Sequence, residues 1–243
     1  WTGECDTHCF MQMFTDEDFW VHEEGFSLPD VHHDAYKQYM NLMKKWYDLG
    51  IFTDDTWGAE VWRDSWLAGK VCCVMTGAAW AMSQAQKVWG TANIVPTLNP
   101  VLKKGNQSTT FTFTNAAVCF KGAPQAQEYV DWLLWMLDPT VEKVANYSFH
   151  KWDLNYMHIP VYESVYTNII PTNADWAWMG EMFPMIRASR LMPPDALNNL
   201  TGPIEVAWEE KFVRGKLTLE EAINGMDEER RAAVEKHFTE VGD

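Results

Sequence analysis

The sequence predicts a helix-rich α/β fold, and three observations predict it. The run Val71-Cys72-Cys73-Val74-Met75 is apolar and of strand length, and it breaks at Thr76-Gly77 into Ala78 to Gln84, which is rich in helix formers. The surrounding order is helix, loop, helix, Gly, strand, Gly, helix, a compact α/β succession. At 243 residues, the chain is long enough for one large domain or two modest ones with a substantial core. Trp80 therefore falls in the first turn of a helix directly after a buried strand. In open α/β sheets ligands bind beyond the carboxyl ends of the strands. A large aromatic there, beside helix N-terminal N–H groups, is a candidate ligand platform, with plain core packing as the alternative.

Taken in order, the elements are as follows. Trp1 to Phe19 is aromatic and acidic without a clear period, although Phe10, Met13 and Phe14 suit one face of a short helix. Val21 to Asp30 carries the Gly25 and Pro29 punctuation of a turn between two extended pieces. From Asp34, the apolar positions Tyr36, Tyr39, Met40, Met43, Trp46 and Tyr47 follow helical spacing, and Gly50 stops them. A second helix is expected from about Gly58 to Ala68, closed by Gly69-Lys70. After the Trp80 helix, Ala92 to Pro96 reads as a strand, and Leu98 to Thr109 as a polar, Gly/Pro-broken crossing. Thr110 to Thr114 alternates with period two and runs on into Asn115 to Phe120 as a buried strand edged with hydroxyls. Those hydroxyls and the Asn115 amide can bond a polyhydroxylated ligand or simply satisfy nearby backbone.

Pro124 or its neighbour starts a strongly apolar helix through Leu137, broken by Asp138-Pro139. Thr140 to Tyr147 reads as a helix, Phe149 to His158 as an aromatic loop, and Ile159 to Ser164 as the entry to a short helix. Asn173 to Arg190 is helical with Trp176, Met179, Phe183 and Ile186 on one face. Two last helices run from Pro203 to Arg214 and from Thr218 to Phe238, the second with an N-cap and an acidic first turn.

Composition removes several function classes. A formal charge of −15 argues against nucleic acid or anionic membrane as a partner, since either needs a basic face. No stretch of 18 apolar residues exists to span a bilayer as a helix. The 14 Trp and 13 Met exceed ordinary core needs and suit a ligand surface. Of the five cysteines, Cys72, Cys73 and Cys119 sit in apolar runs and read as small buried hydrophobes, while Cys5 and Cys9 are spaced for a disulfide, a metal pair or two unlinked thiols. His22, His32 and His33 among Glu23, Glu24, Asp30 and Asp34 fit a solvated loop leading into a helix better than a metal cluster.

No phosphate-cradling Gly loop, G-x-S-x-G or H-E-x-x-H motif is present. Carboxylates such as Glu205, Glu209 and Glu210, or Glu220, Glu221, Asp227 and Glu228, read as solvated helix faces. A cleft with aromatics and neutral polar groups is the make-up of a binding site, so no enzyme activity and no cofactor are expected.

One family carries these elements in the same order. Tyr36-Lys37-Gln38-Tyr39-Met40 to Gly50-Ile51, then Trp57 and Trp66-Leu67-Ala68-Gly69-Lys70 to Trp80, resembles the extracellular solute-binding proteins of ABC importers, in particular the carbohydrate-binding, maltodextrin-binding-protein-like group. That group has a helix ending in F-x-x-G-K, an apolar strand and N-G-x-W; here Trp66 and Thr76 replace the usual Phe and Asn. Ala92 to Pro96, Phe120 to Val141, Ile159-Pro160-Val161 and Gly215 to Ala222 resemble its later segments.

The resemblance implies a type II periplasmic-binding-protein-like, two-lobe architecture whose first lobe is incomplete in this chain. Residues 1–98 would be the α/β part of the second lobe, 99–158 the hinge crossing and the remainder of the first lobe, and 159–243 the helical return to the second lobe with the C-terminal helices. It further implies a sugar or oligosaccharide held in an aromatic-lined cleft and delivered to the transmembrane subunits of an ABC permease. The expected location is periplasmic or extracellular, with lipoprotein anchoring through an N-terminal segment outside this chain, which would also supply the missing lobe. Trp80 matches the family's stacking aromatic; Thr114 and Asn115 lie near a polar strand of its site. Trp1, Asp6 and Trp178 are candidates by position alone. The alternatives are a carbohydrate-active hydrolase with an aromatic cleft, or a non-catalytic surface interaction module.

Overall fold

A computed structural model describes residues 10–23, 26–51, 61–70, 79–97, 101–102, 111–112, 122–138, 160, 162–191 and 197–241. Helix dominates these residues, and strands β1 (Trp20–Glu23) and β2 (Phe26–Pro29) form a small antiparallel sheet. The helices are α1 (Asp34–Asp48), α2 (Val61–Leu67), α3 (Ala79–Trp89), α4 (Ala126–Met136), α5 (Glu163–Asn168), α6 (Ala177–Arg187), α7 (Asn198–Val213) and α8 (Leu219–Val241). Two-residue strands β3 (Phe111–Thr112) and β4 (Arg190–Leu191) make a second pairing. The strand expected at Val71–Met75, the hydroxyl ladder beyond Thr112, the helix at Thr140–Tyr147 and all five cysteines lie outside the described residues.

The chain groups into two compact units, each assembled from separate stretches. Unit 1 takes Trp1–Thr76, Leu98–Phe111 and Arg190–Asp243; unit 2 takes Gly77–Thr97 and Thr112–Ser189.

Unit 1 is built on the period of α1. Tyr36, Tyr39, Met40 and Met43 recur at helical spacing, and all four are 0–1 % exposed. They meet Phe212 and Val213 of α7 and Ala222, Ile223 and Met226 of α8 in one core, which Phe10, Met11 and Met13 extend. Each large side chain so buried stabilises the unit by about 1.5–3 kcal/mol before conformational entropy is subtracted. The Phe10–Phe14 segment turns through bonds from Met13 N to Phe10 O and Phe14 N to Met11 O, as its apolar spacing suggests. β1 and β2 pair in the register Trp20 with Pro29 and Glu23 with Phe26.

The helix ends explain where these elements stop. His33 caps α1, its Nδ1 accepting from Ala35 N at 3.0 Å. Gly50 closes it at φ 69°, where Ile51 N donates to Trp46 O and Gly50 N to Tyr47 O. That paired reversal needs a left-handed residue, which glycine supplies without a Cβ clash. Thr218 begins α8 as a capping box: Glu221 N donates to Thr218 Oγ1 at 3.2 Å, and Thr218 N to Glu221 Oε2 at 2.8 Å. These bonds hold the Glu221 carboxyl below its ordinary range.

α8 also carries Gly225 for reasons of space. A Cβ built there would lie 2.6 Å from Trp208 Cζ3 and 2.8 Å from Cζ2, inside van der Waals contact. The Trp208 indole is pinned, since its Nε1 donates to Glu229 Oε2 at 2.7 Å and Lys211 Nζ sits 4.1 Å from its ring centre. Gly225→Ala is expected to destabilise unit 1 by about 1–2 kcal/mol, because overpacking outweighs the gain in helix propensity of roughly 1 kcal/mol. Denaturant titration checks it, and an unchanged or raised midpoint would refute the close approach.

In unit 2, Val165, Tyr166, Ile169, Ile170, Trp178 and Met179 form the core, with Tyr166 stacked on Phe183 at 4.6 Å between ring centres. The helix expected over Asn173–Arg190 is split: a 3-10 turn at Ala174–Trp176 precedes α6, with the Asn173 side chain accepting from Asp175 N. Two expectations are corrected here. Ala92–Pro96 is not a strand: Thr91–Asn93 forms a 3-10 turn, followed by irregular backbone with Val95 72 % exposed. Gly90 at φ 77° and the Asn93 side chain donating to Trp89 O turn the chain there instead. α7, for its part, starts at Asn198 rather than Pro203, with Leu200 N and Thr201 N both donating to Leu197 O.

Candidate functional site

Trp80 is the second residue of α3, so it occupies the first turn as its sequence context predicts. The first turn of any helix carries N–H groups without intrahelical acceptors, the kind of donor that an oxygen-rich ligand can use. Further along the helix, Ala85 is fully buried in unit 2, and Gln86 Nε2 donates to the Asp175 carbonyl at 3.3 Å. Gly90 N donates to Gln86 O and ends the helix. The start of α3 is thus fixed by packing and bonds further along the same helix.

Trp178 lies in α6 at 2 % exposure, inside the unit 2 core. An indole so enclosed offers no face to a solute, although its Nε1 has no hydrogen-bond acceptor. Trp1, Asp6, Thr114 and Asn115 lie outside the described residues. Of the six candidates, Trp80 and Trp178 are the two among the described residues.

The described polar chemistry lies in the unit 1 core, where sequence reasoning expected only solvated faces. Glu205 and Glu209, one turn apart on α7, are each 1 % exposed. Tyr36 Oη donates to Glu209 Oε1 at 2.8 Å and lies 3.2 Å from Met226 Sδ; Tyr39 Oη donates to Glu209 Oε2 at 3.2 Å. Arg230 Nη1 sits 2.9 Å from Glu205 Oε1, and Arg230 Nη2 donates to the Pro29 carbonyl at 3.0 Å. Burial first, then the charges of Glu209 and Glu205, push the Tyr36 phenol well above its ordinary value and keep it a donor. The network spans α1, α7, α8 and β2. Its only sequence signal is the i, i+4 spacing of Glu205 and Glu209 within an otherwise apolar stripe.

His22, His32 and His33 have structural partners. His22 meets Ser27 Oγ at 2.9 Å and Asp18 Oδ2 at 3.0 Å, and His32 Nε2 lies 3.4 Å from Asp227 Oδ2. Burial raises the Asp227 carboxyl, but Arg231 at 2.8 Å and His32 outweigh it and hold it below the usual range. Among the described residues no group of three or more His, Cys, Asp or Glu is arranged to hold a metal ion, and no helix is long and apolar enough to cross a membrane.

No protein-family model matches the chain, and no curated protein sequence matches it.

Proposed function

We propose that this chain is the ligand-binding component of an ABC-type importer, capturing a neutral sugar or oligosaccharide and passing it to a membrane permease outside the cytoplasm. The observation that carries the reading is Trp80 in the first turn of α3, behind Thr76-Gly77, in a sequence whose motifs resemble those of carbohydrate-binding solute-binding proteins. Its chemistry suits the task. The apolar C–H face of a pyranose stacks on indole, while helix N-terminal N–H groups and neutral polar side chains take the hydroxyls. Units built from separate stretches of chain support the two-lobe expectation, because a hinged binding protein needs a chain that returns to each lobe.

The test is a saccharide and polyol panel applied to the natural full-length protein, read by melting temperature and by heat of binding. A cognate sugar at one hundred times its Kd would stabilise by about 2.7 kcal/mol. Trp80→Ala is expected to weaken that sugar about tenfold to a hundredfold, the worth of one buried aromatic, and to leave the melting temperature of the free protein nearly unchanged. A panel without any shift would sink the proposal. Recovery of cleaved glycan would instead favour the hydrolase reading.

A further inference from the structure

We propose that the hollow between the β1–β2 hairpin and α8 binds a small organic ammonium, a protonated amine carried on an apolar body. The hollow belongs wholly to unit 1 and measures about 280 Å³, at the lower edge of the range of small-molecule sites. Its walls are apolar where Phe26 and Leu28 of β2 face Val234 of α8. Leu28 is buried and Phe26 and Val234 are half-buried, so the walls are already largely withdrawn from water.

The charges around it select the sign of the occupant. Glu23, Asp30, Asp227 and Glu235 line it, against the guanidinium groups of Arg230 and Arg231. Arg230 is 3 % exposed and its charge is met by Glu205 at 2.9 Å, on the side of the core. Arg231 is therefore left facing four carboxylates, a formal excess of three negative charges. Arg231 bonds Asp227 at 2.8 Å, and the fields of Asp227, Glu23 and Asp30 hold its proton more firmly than usual. Glu23, Asp30 and Glu235 can meet a second cation entering the hollow, with the Phe26 ring among its walls. An anion is repelled by this rim, and a purely apolar guest gains nothing from it.

The floor is rigid enough to recognise a shape. Arg230 Nη2 ties the Pro29 carbonyl of β2 to α8, and Val31 beside it is 1 % exposed. The hairpin and the helix are thus held at a set spacing by a buried guanidinium rather than by the occupant.

The probe is benzylamine, titrated into the protein without sugar and followed by calorimetry and by melting temperature, with benzyl alcohol and benzoate as matched neutral and anionic bodies. Expected are saturable benzylamine binding that weakens with added salt, weaker binding of the alcohol, and no response to benzoate. Glu23→Gln with Asp30→Asn should weaken the amine roughly two- to fivefold per carboxylate, since both lie near solvent; the amide that replaces the Asp30 carboxylate keeps an oxygen for the bond from His32 N. Val234→Trp, which fills the hollow, should abolish binding in a sample whose helical circular dichroism is unchanged. Equal affinity for alcohol and amine, unaltered binding in folded Val234→Trp, or no saturable response would each overturn the proposal. None of these readouts depends on Trp80, so the importer reading stands or falls separately.

Discussion

Arg230→Ala is expected to cost unit 1 about 3–5 kcal/mol, the largest effect of any single change considered. The reason is burial rather than charge count. At 3 % and 1 % exposure neither Arg230 nor Glu205 can recover water, so deleting the guanidinium leaves a carboxylate in the core and the Pro29 carbonyl without its donor. Nε of Arg230 has no hydrogen-bond acceptor even in the intact protein, so the pair is not an optimised one. The double change Arg230→Met with Glu205→Leu should therefore be milder than Arg230→Ala alone, because a well-packed apolar pair avoids desolvating either charge. Denaturant titration with tryptophan fluorescence reads both. A loss below about 1 kcal/mol for Arg230→Ala would show that water or another group takes over the site.

Glu209→Ala should cost about 2–5 kcal/mol by a different route. Its two oxygens accept from Tyr36 and Tyr39, and removing them takes the carboxylate acceptor from two buried phenol donors at roughly 1–3 kcal/mol each. Met226 Sδ remains near Tyr36 as a weak acceptor, which keeps the estimate below the sum of two full penalties. Tyr36→Phe in the Glu209→Ala background should recover part of the loss, since it withdraws one of those donors. If the double variant is as unstable as two independent losses added together, the phenol and the carboxylate are not coupled.

These two sites also show what a single sequence can and cannot say. α1 was legible because its signal is redundant: helical spacing over fifteen residues, an acidic first turn and Gly50 at the end all agree. The hairpin was legible through Gly25 and Pro29, and α8 through the Thr218–Glu221 capping box. Glu205 and Glu209 were misread because a carboxylate on a helix is usually solvated, and what surrounds these two is donors supplied from α1, 173 and 170 positions away, and from α8, 25 positions away. Ala92–Pro96 misled for the opposite reason. A short apolar run has no period long enough to separate strand from turn, and here Gly90 and Asn93 decide locally. α4 shows a third limit, because its strongly apolar composition predicts the helix but not its surroundings: it has no buried residue, and Trp132 and Trp135 are 47 % and 45 % exposed. Of the candidate site, the sequence places Trp80 in a helix, as the structure does, whereas Trp178, a candidate by position alone, is core. Aromatic identity does not distinguish the two.

The bond from Arg230 to Pro29 joins positions 201 residues apart, and that separation sets an order of events during synthesis. At roughly 5–20 residues per second, the ribosome delivers α8 about 10–40 s after the hairpin. Through that interval Tyr36, Tyr39 and Met43 have no partner from the C-terminal helices, while the stretches of unit 2 emerge complete. Unit 2 can therefore condense on the nascent chain first, and unit 1 closes only once α8 is released. Contacts of such long range also slow the search for the native state. α1 thus waits for α8, and during the wait its aromatic stripe is the surface on which chaperones, or aggregation, would act.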